Sequence, residues 1–421
     1  MGSINNPSNP LGPVIPLLLD GKEITTEVTY DVVSPLTGQP VYKCSSASVE
    51  DAKRAVESAQ AAFESWSQTK PNDRRDIILR VADLLLRDKE ILRTVVHNET
   101  GEVDSMFDFE HNLAVQACKA VAGLISTIRG TVPTVGDEGR SAMVLREPFG
   151  VVLSIAPWNA PYILGVRSCL GPLAMGNTVI FKGSEFSPGV YYKIASIFHE
   201  AGLPKGCLNT IIHCPQDAAE VTSALIASPS VRKINFTGSA LVGGIIASQA
   251  AKLLKPTLME LGGKAPTIVC EDANLQDAAL GATLGSFLNS GQVCMCTERV
   301  IVHSAVADQF KEIFKQTIDQ IFGTPDGLTL VNGLPVTKNK KLLADAISKG
   351  AKVVHGDPNH NAKLNTAMRP VVLEGVKEGM DIYHTESFGP TVSLFTVEND
   401  EEAIKLANDT ESSRELCILM P

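Results

Sequence analysis

No stretch of this chain is long and apolar enough to cross a membrane. The best one, residues 11–19, is short and broken by Pro13 and Pro16, with no basic residue ahead of it. It excludes a spanning helix and argues against a secretory leader. The first residues, Met1-Gly2-Ser3-Ile4-Asn5-Asn6, begin like a myristoyl acceptor, but Asn6 stands where Ser or Thr is required. Paired cysteine spacing is missing too. The nine cysteines are scattered and odd in number, which argues against a disulfide scaffold. Cys294-x-Cys296 is not a zinc spacing, and no second pair accompanies it, so no metal is expected. These absences suit a reducing compartment, and the chain reads as cytoplasmic. Basic residues are outnumbered 37 to 47, giving a net charge of -10, which argues against a nucleic-acid partner. There is no G-x-G-x-x-G, so the ordinary dinucleotide fingerprint is absent. No internal repeat, low-complexity tract or long linker interrupts the chain.

What is present is a long, folded sequence. Its 421 residues exceed one ordinary core, so two or three domains are expected. Hydrophobic residues make 44% and charged residues 20%, the balance of a folded chain rather than a disordered one. Residues 17–24 read as a hairpin, because Asp20-Gly21 supplies the positive φ of a tight turn. Ser48-Val49-Glu50-Asp51 resembles a capping box and starts a helix through Trp66. Asn72 is expected to cap a second helix that Gly101 ends, with Ile77, Ile78, Val81, Leu84 and Leu85 on one face. A third helix is expected over 105–128, and 130–146 reads as an extended hairpin.

From Gly150 the pattern changes. Apolar runs at 151–155, 179–181, 208–212, 233–236 and 258–259 alternate with helical stretches, the signature of a parallel sheet covered by helices. A second alternation follows. Candidate strands lie at 268–269, 300–302, 353–354 and 371–373, and candidate helices at 275–288, 305–321 and 338–348. The boundary falls near Glu260, which places the expected chemistry between two domains.

Two stretches carry the strongest chemical signal. Met259-Glu260-Leu261-Gly262-Gly263-Lys264 offers a carboxylate followed by glycines that let a backbone and a cofactor approach closely. Phe287-Leu288-Asn289-Ser290-Gly291-Gln292-Val293-Cys294 offers a thiol behind a glycine. A thiolate attacks carbon, and a nearby carboxylate manages protons and water. Alone, a Cys is usually a small buried hydrophobe and a Glu at a strand end is usually solvated. Asn159, in Ala156-Pro157-Trp158-Asn159, follows the first strand of the alternation; it is either a turn residue or an amide donor for an oxyanion. Lys182 and Glu185 follow the second strand and by themselves read as a solvated turn. Phe236-Thr237-Gly238-Ser239-Ala240-Leu241-Val242-Gly243 joins a strand to a helix whose N-terminus can receive phosphate. Glu386-Ser387-Phe388-Gly389-Pro390 reads as a strand-edge loop.

Each stretch, in this order, resembles a motif of the NAD(P)-dependent aldehyde dehydrogenase superfamily, over nearly the whole chain to about Thr410. The resemblance implies an α/β fold: a Rossmann-type parallel-sheet cofactor domain, 1–129 with 147–259; an oligomerisation hairpin, 130–146; and an α/β catalytic domain, 260–421. It implies Cys294 as nucleophile, Glu260 as the base for deacylation and Asn159 as oxyanion donor, with Cys296 structural. It assigns cofactor binding to Ile155, Pro157, Trp158, Lys182, Glu185, Phe236, Gly238, Ser239, Val242, Gly243, Leu261, Glu386 and Phe388. Lys182 and Glu185 would hold the adenosine ribose, Glu386 the nicotinamide ribose, and Phe388 would pack beside the nicotinamide. The carboxylate at 185 favours NAD over NADP. Asn159-Ala160-Pro161, Arg167 and Cys294-Met295-Cys296-Thr297-Glu298-Arg299 look most like salicylaldehyde and vanillin dehydrogenases. That implies a small aromatic aldehyde as substrate, with Arg167 near it unless it is a surface ion-pair residue.

After Ala407-Asn408-Asp409-Thr410-Glu411 the chain leaves the family pattern and runs Ser412 to Pro421. The catalytic domain is therefore expected to be incomplete at its C-terminal part, and the family-type homodimer or tetramer to be compromised. Exposed strand edges, low solubility and little turnover are expected, with the apolar run 416–420 as the only patch for an edge. A non-catalytic homologue that only binds nucleotide or a full-length partner is the alternative. A cysteine hydrolase is a weaker one, since Cys294 lacks a convincing His partner.

Overall fold

The computed structural model describes residues 10–410 and 417–419. They form two compact units, one of residues 10–33, 40–99 and 107–260, the other of 34–39, 100–106, 261–410 and 417–419.

The first unit is organised by a seven-stranded sheet in the order Thr257–Glu260, Val231–Thr237, Val151–Ile155, Thr178–Lys182, Leu208–Ile211, Leu17–Leu19, Lys22–Ile24. The five expected strands of the alternation run parallel, and the expected hairpin joins antiparallel. Every residue of Val151–Ile155 and Thr178–Lys182 is buried. That is why those runs are continuously apolar rather than alternating: helices cover both faces. Asp20 and Gly21 take the positive φ the hairpin turn needs. The capping box forms, Ser48 Oγ accepting from Asp51 N and Asp51 from the Ser48 N–H.

Three local expectations change. The second helix starts at Pro71, not under an Asn72 cap, because a proline at the first helical position presets φ. It ends at Arg87, and Lys89–Thr100 is a separate helix that stops at Gly101, φ +72. The third helix runs Asp104–Ile125. Of the hairpin at 130–146, one antiparallel bridge, Thr131 to Val144, is present among the described residues. A small sheet of Val14–Ile15, Pro40–Ser45 and Thr29–Val33 had no clear sequence signal.

The second unit holds a six-stranded sheet, Lys352–His355, Val371–Glu374, Thr391–Val397, Thr297–His303, Ala265–Val269, Cys417–Leu419. All neighbours are parallel except Lys352–His355, which is antiparallel. Cys417–Leu419, from the apolar run expected to patch an edge, pairs with Thr267, Ile268 and Val269. The expected roles of Ser412 to Glu415, and of Leu416 and Met420, lie outside the described residues. Buried Arg299 ties this sheet to the helix Asp400–Asn408: its guanidinium donates to the carbonyls of Leu406, Ala407 and Asp409 at the C-terminal end of that helix. Among the described residues no helix is long and apolar enough to cross a membrane, and no group of three or more His, Cys, Asp or Glu could hold a metal.

Candidate active site

In the first unit the carboxyl ends of the parallel strands open onto a cavity of about 470 Å³. Nine residues expected to bind cofactor line it: Ile155, Pro157, Trp158, Lys182, Glu185, Phe236, Gly238, Ser239 and Val242. Strand ends are where parallel sheets place ligands, because loops diverge there to either face. Lys182 is 8% exposed, and burial pulls its ammonium down to about 8 against the pull of Glu185. Glu185 is half-buried; its carbonyl accepts from the Tyr30 hydroxyl at 3.1 Å, and its carboxylate from Ser184 Oγ at 3.3 Å. Ser239 caps the helix Ala240–Lys252, its side chain accepting from Val242 N. The remaining N–H groups of that first turn have no acceptor within the helix and suit an anion. Gly243 is buried in the helix and does not line the cavity.

A second cavity of about 500 Å³ in the same unit is lined by Phe149, Leu164, Met175 and Leu258, together with Arg167 and Glu260. Arg167, predicted to meet substrate, and Glu260, the predicted base, are thus brought to one cavity. Arg167 is exposed on the helix Pro161–Ala174, and Glu260 is half-buried at the end of its strand. Asn159, 5% exposed, lies in the loop between Val151–Ile155 and that helix.

In the second unit the helix Leu275–Phe287 gives way to an unusual turn. Asn289, Ser290 and Gly291 all take positive φ, at 49°, 62° and 73°. Such conformations cost energy in non-glycine residues and persist only where surroundings impose them. Ser290 Oγ donates to the Thr329 carbonyl at 2.7 Å. Gln292, 1% exposed, donates to the Asn289 carbonyl and accepts from Val331 N. Gly291 is required by the fold itself: a Cβ there would collide with the Gly389 carbonyl. Cys294 follows the turn, half-buried, just before Thr297–His303.

The cysteines other than Cys417 differ sharply. Burial pushes the thiols of Cys44, Cys118, Cys207 and Cys296 up to about 12. It raises those of Cys169, Cys214 and Cys270 as well. These seven stay protonated and unreactive, because the thiolate is the nucleophile. Cys296, 7% exposed, is the packed structural thiol expected of it.

A match to the aldehyde dehydrogenase family model covers residues 23–419. The chain belongs to the aldehyde dehydrogenase family. It is 43% identical over 405 residues to a vanillin dehydrogenase of Pseudomonas sp. (strain HR199 / DSM 7063), covering 94% of this chain and 83% of that one. Its fold matches the crystal structure of a salicylaldehyde dehydrogenase from Pseudomonas putida G7 complexed with salicylaldehyde, with TM-score 0.93, 35% identity, and 97% and 86% of the two chains covered. An E. coli NADP-dependent enzyme matches with TM-score 0.92 and 28% identity, covering 97% of this chain and 85% of that chain. This protein is therefore an oxidoreductase that acts on aldehydes, of a family that uses NAD or NADP.

The nucleotide that an aldehyde dehydrogenase requires fits the first cavity. A buried cation, a half-buried carboxylate and a helix N-terminus all border it. The remaining predicted cofactor residues, Leu261, Glu386 and Phe388, belong to the second unit. There Glu386 accepts from Gly263 N at 3.1 Å, and a Cβ at Gly262 would collide with its carboxylate. Burial, then the nearby Glu298, raises the Glu386 carboxyl above its usual range. The glycine pair after Glu260 thus makes room for Glu386. Phe388 takes a left-handed φ of 49°.

Sequence reasoning missed what holds that loop. Glu298, 4% exposed, pairs with buried Lys264 at 2.5 Å and accepts from the Ser387 and Phe388 N–H groups at 2.8 and 3.0 Å. Lys264 also donates to the Thr385 carbonyl, and Arg299 Nε to the Lys264 carbonyl. The signal was the run Thr297-Glu298-Arg299, two charges inside an otherwise apolar strand. Charges in such a run are sustained only when paired.

Proposed function

We propose that this aldehyde dehydrogenase oxidises an aromatic aldehyde of salicylaldehyde or vanillin type to its carboxylic acid, with NAD as the preferred acceptor. The thiol inventory carries the reading: Cys294 is half-buried on a strained turn, while seven other cysteines are held protonated. Cys294 as thiolate forms a bond to the carbonyl carbon, and the carbonyl electron pair moves to oxygen. The Asn159 amide and the Cys294 N–H stabilise that oxyanion. Bound nicotinamide would supply the hydride acceptor, and loss of hydride from the carbon leaves the Cys294 adduct as a thioester. Glu260 then takes a proton from water, whose oxygen attacks the thioester carbon. The C–S bond breaks, the acid leaves, and the thiolate is restored.

Aromatic preference is supported by Phe149, Leu164, Met175 and Leu258 in the cavity that holds Arg167 and Glu260, where the guanidinium suits a phenolic oxygen; Glu147, Lys233 and Asn235 line it as well. NAD preference is supported by Glu185, whose carboxylate opposes a 2′-phosphate. A homo-oligomer is supported by exposed Leu241, Ile245 and Leu254 on and just after one helix; light scattering that returns a monomer mass overturns this part. The deciding experiment compares kcat/KM for salicylaldehyde, vanillin and acetaldehyde, with NAD and with NADP. The aromatic aldehydes with NAD are expected to lead; higher values for acetaldehyde discard the substrate class, and higher values for NADP discard the cofactor preference.

A further inference from the structure

Tyr191 lies in the helix Pro188–Glu200 and is 0% exposed. Its hydroxyl donates to the Pro157 carbonyl at 2.5 Å, 34 residues back in the chain. Pro157 stands in the loop between Val151–Ile155 and the helix Pro161–Ala174, one residue before Trp158 and two before Asn159. The ring of Tyr191 is held from three sides. Phe181 packs edge to face against it, with centroids 5.0 Å apart and planes at 68°. A Cβ at Gly183 would lie 2.5 Å from the ring, and one at Gly165 would lie 3.2 Å from it. Both glycines thus leave room that the ring fills. A ring packed this closely does not swing, so its hydroxyl has one place to be. Burial raises the phenol well above its ordinary 10, and it keeps its proton as a donor. At this depth it touches neither aldehyde nor nucleotide.

We propose that Tyr191 is a positioning residue for the oxyanion amide: by holding the Pro157 carbonyl it fixes the peptide that follows and, two residues on, the side chain of Asn159. The inference rests on the reading of Asn159 as oxyanion donor. Such a donor helps only when it is already aimed at the place where charge develops, because turning it during the reaction costs the energy it would supply. Asn159 sits on a loop, and a loop donor needs support from the rigid elements around it. The Ala156 N–H donates to the Lys182 carbonyl at 3.2 Å, which fixes the start of the loop to the sheet. Pro157 has no N–H to donate, so its carbonyl is the backbone group by which it is held. Tyr191 takes that carbonyl and ties the loop to a second element, the helix Pro188–Glu200. Through Phe181 the same ring rests on the strand Thr178–Lys182.

The test is a double-mutant cycle on the full chain, read as kcat/KM for salicylaldehyde with NAD, with Tyr191→Phe and Asn159→Ala made alone and together. Tyr191→Phe removes only the hydroxyl and is expected to lower kcat/KM about tenfold, as for one lost hydrogen bond. In the Asn159→Ala background the same change is expected to cost less than about twofold, because the group it positions is gone. Equal losses in the two backgrounds overturn the proposal, since a merely structural role is independent of Asn159. An unchanged value for Tyr191→Phe overturns it as well. An Asn159→Ala chain with wild-type kcat/KM overturns instead the oxyanion reading, and a wild type without turnover overturns the reaction; the proposal falls with either. 4-Aminophenylalanine placed at Tyr191 keeps the ring and an N–H donor, and is expected to stay within about threefold of wild type. It also decides the matter should Tyr191→Phe fail to fold: a folded amino variant that loses more than this overturns the proposal.

Discussion

The strand ends that carry Lys182 and the turn that carries Cys294 are built on opposite plans. Around Lys182 and Glu185 the backbone is ordinary: no residue of 155–158 or 182–185 has positive φ. The cavity comes from the regular divergence of loops at the ends of a parallel sheet, and the chemistry is added as side chains. Around Cys294 the backbone itself is unusual, with left-handed φ at Asn289, Ser290, Gly291 and Phe388. That strain is held by buried polar groups, Gln292 at the turn, and Glu298 with Lys264 at the loop of Phe388. Standard geometry shapes the cavity at the strand ends, whereas the turn ahead of Cys294 is one that only tertiary contacts sustain.

The sharpest way to separate the two plans is Cys294→Ala. Turnover is expected to fall by about 10³-fold or more, while the Kd for NAD stays unchanged. Steady-state rates and calorimetry on the same preparation check it; retained turnover breaks the comparison, because the thiol then is not the reacting group. Next comes the support. Glu298→Gln leaves the Lys264 ammonium without its counter-charge at 3% side-chain exposure. A loss of about 3–5 kcal/mol in urea unfolding is expected. A loss under about 1 kcal/mol would mean that the loop does not depend on this pair.

The first unit has its own buried acid, remote from the Cys294 turn in sequence. Glu99 accepts from the Tyr42 hydroxyl at 2.5 Å, and from Gly189 N and Val190 N at 2.7 and 3.1 Å. Burial nevertheless pushes its carboxyl up from the ordinary 4.5 to about 8. Between those values the folded state holds a proton that the unfolded chain releases, so stability falls as pH rises through that window. The slope from this group is at most about 1.4 kcal/mol per pH unit. Glu99→Gln is expected to flatten the pH dependence of urea unfolding between those limits; an unchanged slope shows that the acid ionises without penalty. The smallest effect is expected from Glu185→Gln, which removes a charge at a half-buried position. It narrows the preference for NAD over NADP by about three- to tenfold, read as the ratio of kcat/KM values; an unchanged ratio shifts the discrimination to other groups of that cavity.

The sequence by itself determined the architecture. Continuous apolar runs at 151–155 and 179–181 could only be strands buried on both faces, and they are. Asp20-Gly21 and the Ser48–Asp51 box acted through their own backbone and needed no partner from afar. Nine of the expected cofactor residues share one cavity because they follow strand ends, and strand ends are readable from period and length. Tertiary structure decided what depends on contact across long sequence separation. It set Gly291 against the Gly389 carbonyl and Gly262 against the Glu386 carboxylate. It buried Glu298 against Lys264, 34 residues away, and aimed Arg299 at a helix end 107 residues away. No local pattern encodes these, because the energy of a buried polar group is set by the partner that reaches it, and only the folded chain chooses that partner.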